Sequence, residues 1–330
     1  MNPLRKLLSG FDRFTTGILL SVILGLLFPC SGAWESAFSG LTNAAIVLLF
    51  FLYGVKLSRK SVIEGLLNWR LQSLVFFFTF VFFPLVVPLL RGVLEPLTGA
   101  ALYMGLLYVA CLPSTVQSSI AFTAVAGGNV PAAVCSASVS SLLGVFLTPF
   151  LVSILLSAES GGTADVGLDT ILKICYQILL PFILGQLSQR WLQRWVHSKK
   201  ELIRWNDQGT IWLVIYTSFS NATAGGYWQQ LDSLHMLGLI AASLILLVLA
   251  QLGAWGICKL LHFNRADTIA IIFCGSKKSL AVGAPMLMAI FGTLDNNLLL
   301  PLMIFHQVQL MVCAQLARRW QLQGADSGGY

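Results

Sequence analysis

Apolar stretches of about twenty residues follow one another along almost the whole chain, and they constrain its fold more than any other feature. A helix needs roughly 20 apolar residues to cross about 30 Å of hydrocarbon. Only 10% of the 330 residues are charged, whereas a soluble domain carries about 25%. We therefore predict an all-α integral membrane protein, with the lipid bilayer as its partner and no separate soluble domain.

The apolar stretches correspond to about ten transmembrane helices joined by short loops. An even number of spans places both termini on the same side of the membrane. The approximate limits of the predicted spans are 14–33, 37–57, 71–90, 100–126, 129–156, 168–188, 207–224, 233–258, 267–291 and 297–317.

Basic residues collect on one side of this predicted topology. The loops on that side include Arg59, Lys60 and Lys199, whereas the other side holds Arg91 and Lys173. Cytoplasmic loops carry the excess of Lys and Arg, so we predict an inner-membrane (plasma-membrane) protein with both termini cytoplasmic. The same distribution explains the net charge of +7 without a nucleic-acid partner.

The chain divides into two halves of five spans each. Residues 1–157 form the first half, 158–167 an outer linker rich in Gly and Ser, 168–317 the second half, and 318–330 a cytoplasmic tail. Because five is odd, the second half must run opposite to the first, as in an inverted repeat. Spans 4 and 9, the fourth of each half, are predicted to be broken, and paired breaks of this kind mark transporter binding sites.

The break in span 4 combines a proline with a run of polar side chains. Proline frees backbone carbonyls, which hydrocarbon cannot satisfy. The polar groups predict either a site for a small cation or polar substrate, or a kink satisfied by its own serines. The candidate residues are Pro113, Ser114, Thr115, Gln117, Ser118 and Ser119.

The break in span 9 places two adjacent lysines near the middle of an apolar span. Each charge there costs roughly 2.5–3.5 kcal/mol on insertion scales, and no acidic residue lies in a span core. An anionic ligand, carbonyls of the broken helices or loss of a proton would relieve this cost; alternatively, the lysines lie in a solvated interfacial loop. The candidates are Gly275, Ser276, Lys277, Lys278 and Ser279.

Two further spans carry candidate ligands. Ser136 and Ser138 in span 5 would bind a ligand or simply permit close helix packing. His306 and Gln309 in span 10 would relay protons or bind substrate, or form part of the core. The sequence has no P-loop, H-E-x-x-H or G-x-S-x-G motif and no cysteine framework for a metal, so no cofactor is predicted and secondary transport is favoured over a pump.

At these breaks the chain resembles the bile acid:sodium symporter family, and within it the YfeH-type bacterial branch that includes the seventh human member. The similar stretches are LFFLYGVKLS (49–58), residues 112–126, AVCSASVSSLL (133–143), residues 273–281 and PLMIFHQVQLMVCA (301–314). The resemblance implies a panel of spans 1, 2, 6 and 7, and a core of spans 3–5 and 8–10 in which helices 4 and 9 cross.

The resemblance also implies sodium sites at this crossing, for which Ser118, Ser119 and Ser136 are the candidates here. Sodium-coupled members carry a glutamate and a glutamine in span 9, whereas Phe273 and Lys277 stand at the matching positions. Because an ammonium should expel sodium, a lysine is expected to substitute for the ion, and coupling to sodium or to protons stays open.

Taken together, these features predict a secondary transporter that moves a small organic anion by alternating access, with the core moving against the panel. The alternative is a non-transporting membrane regulator of ion or envelope homeostasis, in which the lysines immobilise the core. An intramembrane enzyme is disfavoured because the sequence offers no paired carboxylates, metal cluster or nucleophile–base pair.

Overall fold

The computed structural model describes residues 13–30, 33–56, 68–159, 180–230, 232–291 and 295–327, and the regular structure in these ranges is entirely helical. The all-α prediction is therefore confirmed for the described chain. The helices are α1 (Arg13–Leu27), α2 (Ala33–Lys56), α3 (Trp69–Leu89), α4 (Arg91–Thr98), α5 (Ala100–Ala110), α6 (Gln117–Val125), α7 (Val130–Glu159), α8 (Leu180–Ser198), α9 (Lys200–Ala224), α10 (Tyr227–Gln230), α11 (Ser233–Leu260), α12 (Arg265–Gly275), α13 (Leu280–Phe291) and α14 (Asn296–Ser327).

Six stretches of the described chain are long and apolar enough to cross a membrane. Two shorter apolar helices, Thr16–Leu27 and Ala100–Ala110, add to them. The protein is thus a multi-pass membrane protein, whereas the count of ten spans, the inverted repeat and the sidedness stay predictions. The six are Trp34–Lys56, Trp69–Leu89, Val130–Leu156, Ser233–Leu260, Arg265–Phe291 and Asn296–Gln323.

The helix limits refine the predicted spans. Helix α9 begins at Lys200, before the predicted start of span 7, and α14 continues through the predicted tail to Ser327. Apart from the end of α7, the predicted linker 158–167 lies outside the described residues, as does the start of span 6 before Leu180.

The helices fall into two units. The first contains α1, α2, α8, α9, α10 and the part of α13 from Ala284 onward. The second contains α3–α7, α11, α12, the first turn of α13 and α14. This grouping agrees with the expected panel and core, except that most of α13 groups with the panel helices.

Within the first unit, helices α2 and α8 approach closely through glycines. A methyl group on Gly54 would lie 2.1 Å from the carbonyl oxygen of Phe182, and one on Gly185 would lie 2.0 Å from that of Phe51. Small residues allow such close approach of membrane helices.

Within the second unit, the broken helices pack on α3 and α7. A methyl group on Gly144 of α7 would lie 2.6 Å from the ring of Pro113, and one on Gly275 would lie 2.9 Å from Phe78 of α3. Because glycine has no side chain, α7 packs directly against the break of span 4 and α3 against the break of span 9.

Candidate functional site

The two predicted breaks are present and lie against each other inside the second unit. Span 4 is non-helical between Ala110 and Gln117, and span 9 between Gly275 and Leu280. The backbone N–H of Ser279 donates to the carbonyl of Pro113 (2.9 Å), so the two interrupted segments pair directly. Each break supplies partners that the other lost when its helix was interrupted.

A cluster of hydroxyl groups joins the breaks a second time. The Ser119 hydroxyl donates to the carbonyl of Phe273 (3.0 Å) and lies 3.1 Å from the hydroxyl of Thr115. Thr115 is also 2.8 Å from the Ser118 hydroxyl, and Ser114 lies 3.5 Å from Ser119. The structure thus brings together four of the polar residues predicted from the first break.

Two residues of α7 that the sequence did not single out satisfy the backbone of the first break. Thr148 donates its hydroxyl to the carbonyl of Cys111 (2.9 Å), and Ser140 accepts from the backbone N–H of Ser114 (3.0 Å). Buried backbone groups must find such partners, so the break needs α7 as its support.

Lys278 is completely buried, and its ammonium donates to three backbone carbonyls. They belong to Thr79 (2.6 Å), Ala110 (2.8 Å) and Leu112 (2.9 Å). The ammonium also lies 4.4 Å from the centre of the Phe83 ring, a favourable cation–π distance. Since an ammonium has three donors, these contacts use all of them.

A π-helical segment in α3 explains why the carbonyl of Thr79 is available. Residues Phe78–Phe82 form this segment, in which a carbonyl pairs with the N–H five residues ahead. The residue five positions after Thr79 is Pro84, which has no N–H. Within this π-helical segment, Pro84 therefore leaves the Thr79 carbonyl without a helical N–H donor.

Gln309 holds the backbone of Lys278 from α14. Its side-chain oxygen accepts from the Lys278 N–H (2.8 Å), and its nitrogen donates to the Lys278 carbonyl (2.8 Å). The same nitrogen lies 3.0 Å from Nδ1 of His306, which is buried. Both candidates of span 10 therefore lie at the crossing, where Gln309 contacts Lys278 and His306 contacts Gln309.

Lys277 is also completely buried, but its surroundings differ from those of Lys278. Its ammonium lies 3.2 Å from the Ser118 hydroxyl and faces the rings of Phe122 (4.5 Å) and Phe273 (5.6 Å). No salt bridge to Lys277 is present among the described residues. The charge is thus matched by one neutral hydroxyl and two aromatic faces.

The aromatic wall beside Lys277 extends to the C-terminal helix. The ring of Trp320 packs on that of Phe273 with centres 5.4 Å apart. Arg265 fixes this part of α14 by donating to the carbonyl of Trp320 (2.7 Å). Trp320 lies in the predicted tail, so its contribution to the site was not foreseen.

The remaining candidates serve the helix ends or lie elsewhere. Ser276 donates to the carbonyl of Ile272 on its own helix (2.6 Å), and the Ser279 hydroxyl accepts from the N–H of Val282. Ser138 likewise donates to its own helix, and Gln117 is exposed. The structure does not bring these last two into the cluster.

The residues at the crossing do not fit a sodium ion. The three convergent carbonyls are occupied by the Lys278 ammonium, and Lys277 stands at hydrogen-bonding distance from Ser118. A cation beside Ser118 and Ser119 would meet strong repulsion from that ammonium. The Ser136 hydroxyl is buried without a hydrogen-bond partner in the described chain, which leaves it as a single oxygen rather than a ligand set. Nor do the described residues group three or more His, Cys, Asp or Glu side chains.

The chain is similar to known proteins over nearly its whole length. A Pseudomonas aeruginosa protein whose name assigns no function is 50% identical over 317 residues, covering 96% of this chain and 95% of its own. "Putative symporter YfeH" of Escherichia coli is 46% identical over 319 residues, covering 96% and 95%. "Sodium/bile acid cotransporter 7" of Xenopus tropicalis is 29% identical over 324 residues, covering 94% and 93%.

These similarities extend over nearly the whole chain, and so does the match to one family. Residues 12–322 match the SBF-like CPA transporter family. The resemblance that the motifs at the two breaks predicted is confirmed. The chain therefore belongs to the SBF-like CPA transporter family.

Proposed function

We propose that this protein is a secondary transporter of a small organic anion, and that Lys277 neutralises the anion during transport. The observation that carries the proposal is the Lys277 ammonium, completely buried and hydrogen-bonded to a neutral serine 3.2 Å away. The inner-membrane location and the cytoplasmic termini remain part of this proposal. Membership of a transporter family and the names of the relatives support it.

The chemistry around Lys277 favours an anion over a cation or a neutral solute. A buried charge is costly unless it is paired, and the described neighbours provide no carboxylate. Ser118, which is half-buried, adds a hydroxyl beside the ammonium. Phe122 and Phe273 offer apolar faces for the organic part of a ligand.

Sodium does not drive this transport in our proposal, because ammonium groups stand where a sodium ion would need its oxygen ligands. A proton gradient then becomes the coupling to test. Some more distant relatives carry the word sodium in their names. That name does not change the proposal, because the oxygen ligands that sodium would need are not free at the crossing of this protein.

The test measures stabilisation and uptake with one panel of compounds. Organic carboxylates, sulfonates and sulfates are screened by thermal unfolding of the purified protein, where a ligand at 100 times its Kd adds roughly 2.7 kcal/mol. Uptake of any stabilising anion is then measured in proteoliposomes with and without a pH gradient. We expect Lys277→Met to lose both responses.

A matched control separates the loss of a site from the loss of a charge. Lys259→Met removes an exposed lysine at the end of α11, and it should keep both responses. If Lys277→Met folds and still transports the anion at the wild-type rate, the proposal is wrong.

The second candidate is the non-transporting regulator, which the fully bonded Lys278 favours because it holds the crossing in one arrangement. A regulator should show no flux of any anion, and its effect in cells should survive Lys277→Met.

A further inference from the structure

We propose that the carbonyls of Thr79, Ala110 and Leu112, with the ring of Phe83, form a monovalent-cation site that the chain fills with its own Lys278 ammonium. This inference concerns a different lysine from the anion proposal and does not depend on it. The ligand class of this site is a small primary ammonium, which in this protein is the side-chain ammonium of Lys278.

Several ligands converge on the Lys278 ammonium, as they do in a specific cation-binding site. Three carbonyl oxygens converge on one nitrogen at 2.6, 2.8 and 2.9 Å. The Phe83 ring lies 4.4 Å away. All three donors of the ammonium are used, so the charge is matched without any acidic group.

The three carbonyls come from two interruptions of regular structure, the break of span 4 and the π-helical segment of α3. Ala110 is the last residue of α5, where the helix dipole places partial negative charge. Leu112 lies in the break of span 4, and Thr79 lies in the π-helical segment of α3. Each carbonyl lacks an ordinary helical partner, and the one ammonium satisfies all three together.

The ligand set favours a monovalent cation. Neutral carbonyls replace the hydration of ions such as potassium and of ammonium groups, whereas calcium and magnesium sites use carboxylates. Aromatic faces add to the binding of ammonium groups. Lys278 thus connects α3, the break of span 4 and the break of span 9 through a single charge.

The test removes the lysine and returns its ammonium as a free ligand. We expect Lys278→Ala to unfold several degrees below the wild type, and n-butylammonium chloride to restore most of that loss. Tetramethylammonium, which has no N–H, should restore none. Wild type and Lys259→Ala serve as controls and should not respond to either salt beyond a matched chloride salt.

The inference is overturned if Lys278→Ala is as stable as the wild type, or if butylammonium stabilises both proteins equally. Lys278→Met keeps most of the apolar stem and covers the case in which the alanine variant does not fold. A methionine variant with wild-type stability would also overturn it, because three buried carbonyls would then have lost their donor without effect.

Amine labelling of the wild-type protein gives a second measurement that needs no variant. In the folded protein, an acetylating reagent should modify exposed Lys259 and leave Lys278 unmodified, with both modified after unfolding. Equal reaction rates in the folded protein would contradict the caged ammonium. A failed anion screen would leave both measurements unchanged, so the two proposals fail independently.

Discussion

Gln309 pairs with the backbone of Lys278 through both ends of its amide, at 2.8 Å each. This two-point contact resembles one step of a β-ladder made by a side chain. It replaces the partners that the backbone of Lys278 lost when span 9 was interrupted. The lysine that holds the crossing is therefore itself held from α14.

Replacing Gln309 should destabilise the protein. Gln309→Leu leaves a buried N–H and a buried carbonyl without partners, at about 1–3 kcal/mol each. We expect a loss of about 2–6 kcal/mol in the free energy of unfolding, measured by denaturation in detergent. Gln307→Leu, on the same helix and only half-buried, should change it by less than about 0.5 kcal/mol. Equal effects of the two changes would show that the contact of Gln309 with the Lys278 backbone does not stabilise the protein.

Ser119→Ala should cost more than a typical serine replacement. It removes the donor to the carbonyl of Phe273, a contact that joins the two breaks and is fully buried. The expected loss is about 1–3 kcal/mol, seen as a lower Tm. Ser138→Ala is the control, since that hydroxyl bonds only its own helix. A Ser119→Ala protein as stable as this control would show that the contact is dispensable.

Adding a methyl group at Gly144 should disturb the crossing. Its Cβ would lie 2.6 Å from two ring carbons of Pro113, which cannot rotate away. Overpacking of this kind costs about 1–3 kcal/mol. Gly256→Ala on α11 meets nothing within 4 Å and should be neutral or slightly stabilising. Thermal unfolding of both variants measures the effects. A lower Tm in Gly144→Ala alone would show crowding at the break, whereas equal changes in Tm would show a general effect of replacing a helical glycine.

Sodium should not stabilise this protein more than potassium or N-methylglucamine does at equal ionic strength. The physical reason is that ammonium groups already stand at the oxygens of the crossing. Thermal unfolding in the three salts measures this directly. A sodium-specific rise in Tm would contradict this prediction, and its loss in Ser136→Ala would show that the buried Ser136 hydroxyl takes part in binding the ion.

The positions of the breaks could be predicted because single residues dictate them. Pro113 cannot continue a helix, and adjacent lysines in an apolar span demand partners. The separate roles of Lys277 and Lys278 could not be predicted, since the sequence does not set the directions of neighbouring side chains in a non-helical segment. Only the fold shows which ammonium reaches the carbonyls.

Other parts of the site escaped prediction because they act through the backbone. Thr79, Ala110 and Leu112 contribute carbonyls, which any residue possesses, so their side chains carry no signal. Polar character alone did not show which side chains meet: Ser138 and Gln117 are polar but lie outside the cluster.

The continuity of α14 has a practical consequence for work on this protein. Residues 318–327 were predicted to be a tail, yet they continue the helix that carries Gln309 and His306. Within them, Trp320 packs on Phe273, whose ring faces Lys277. A shortened chain ending at residue 317, or an affinity tag fused there, would open the aromatic wall, and assays on such proteins would report the damage rather than the native activity.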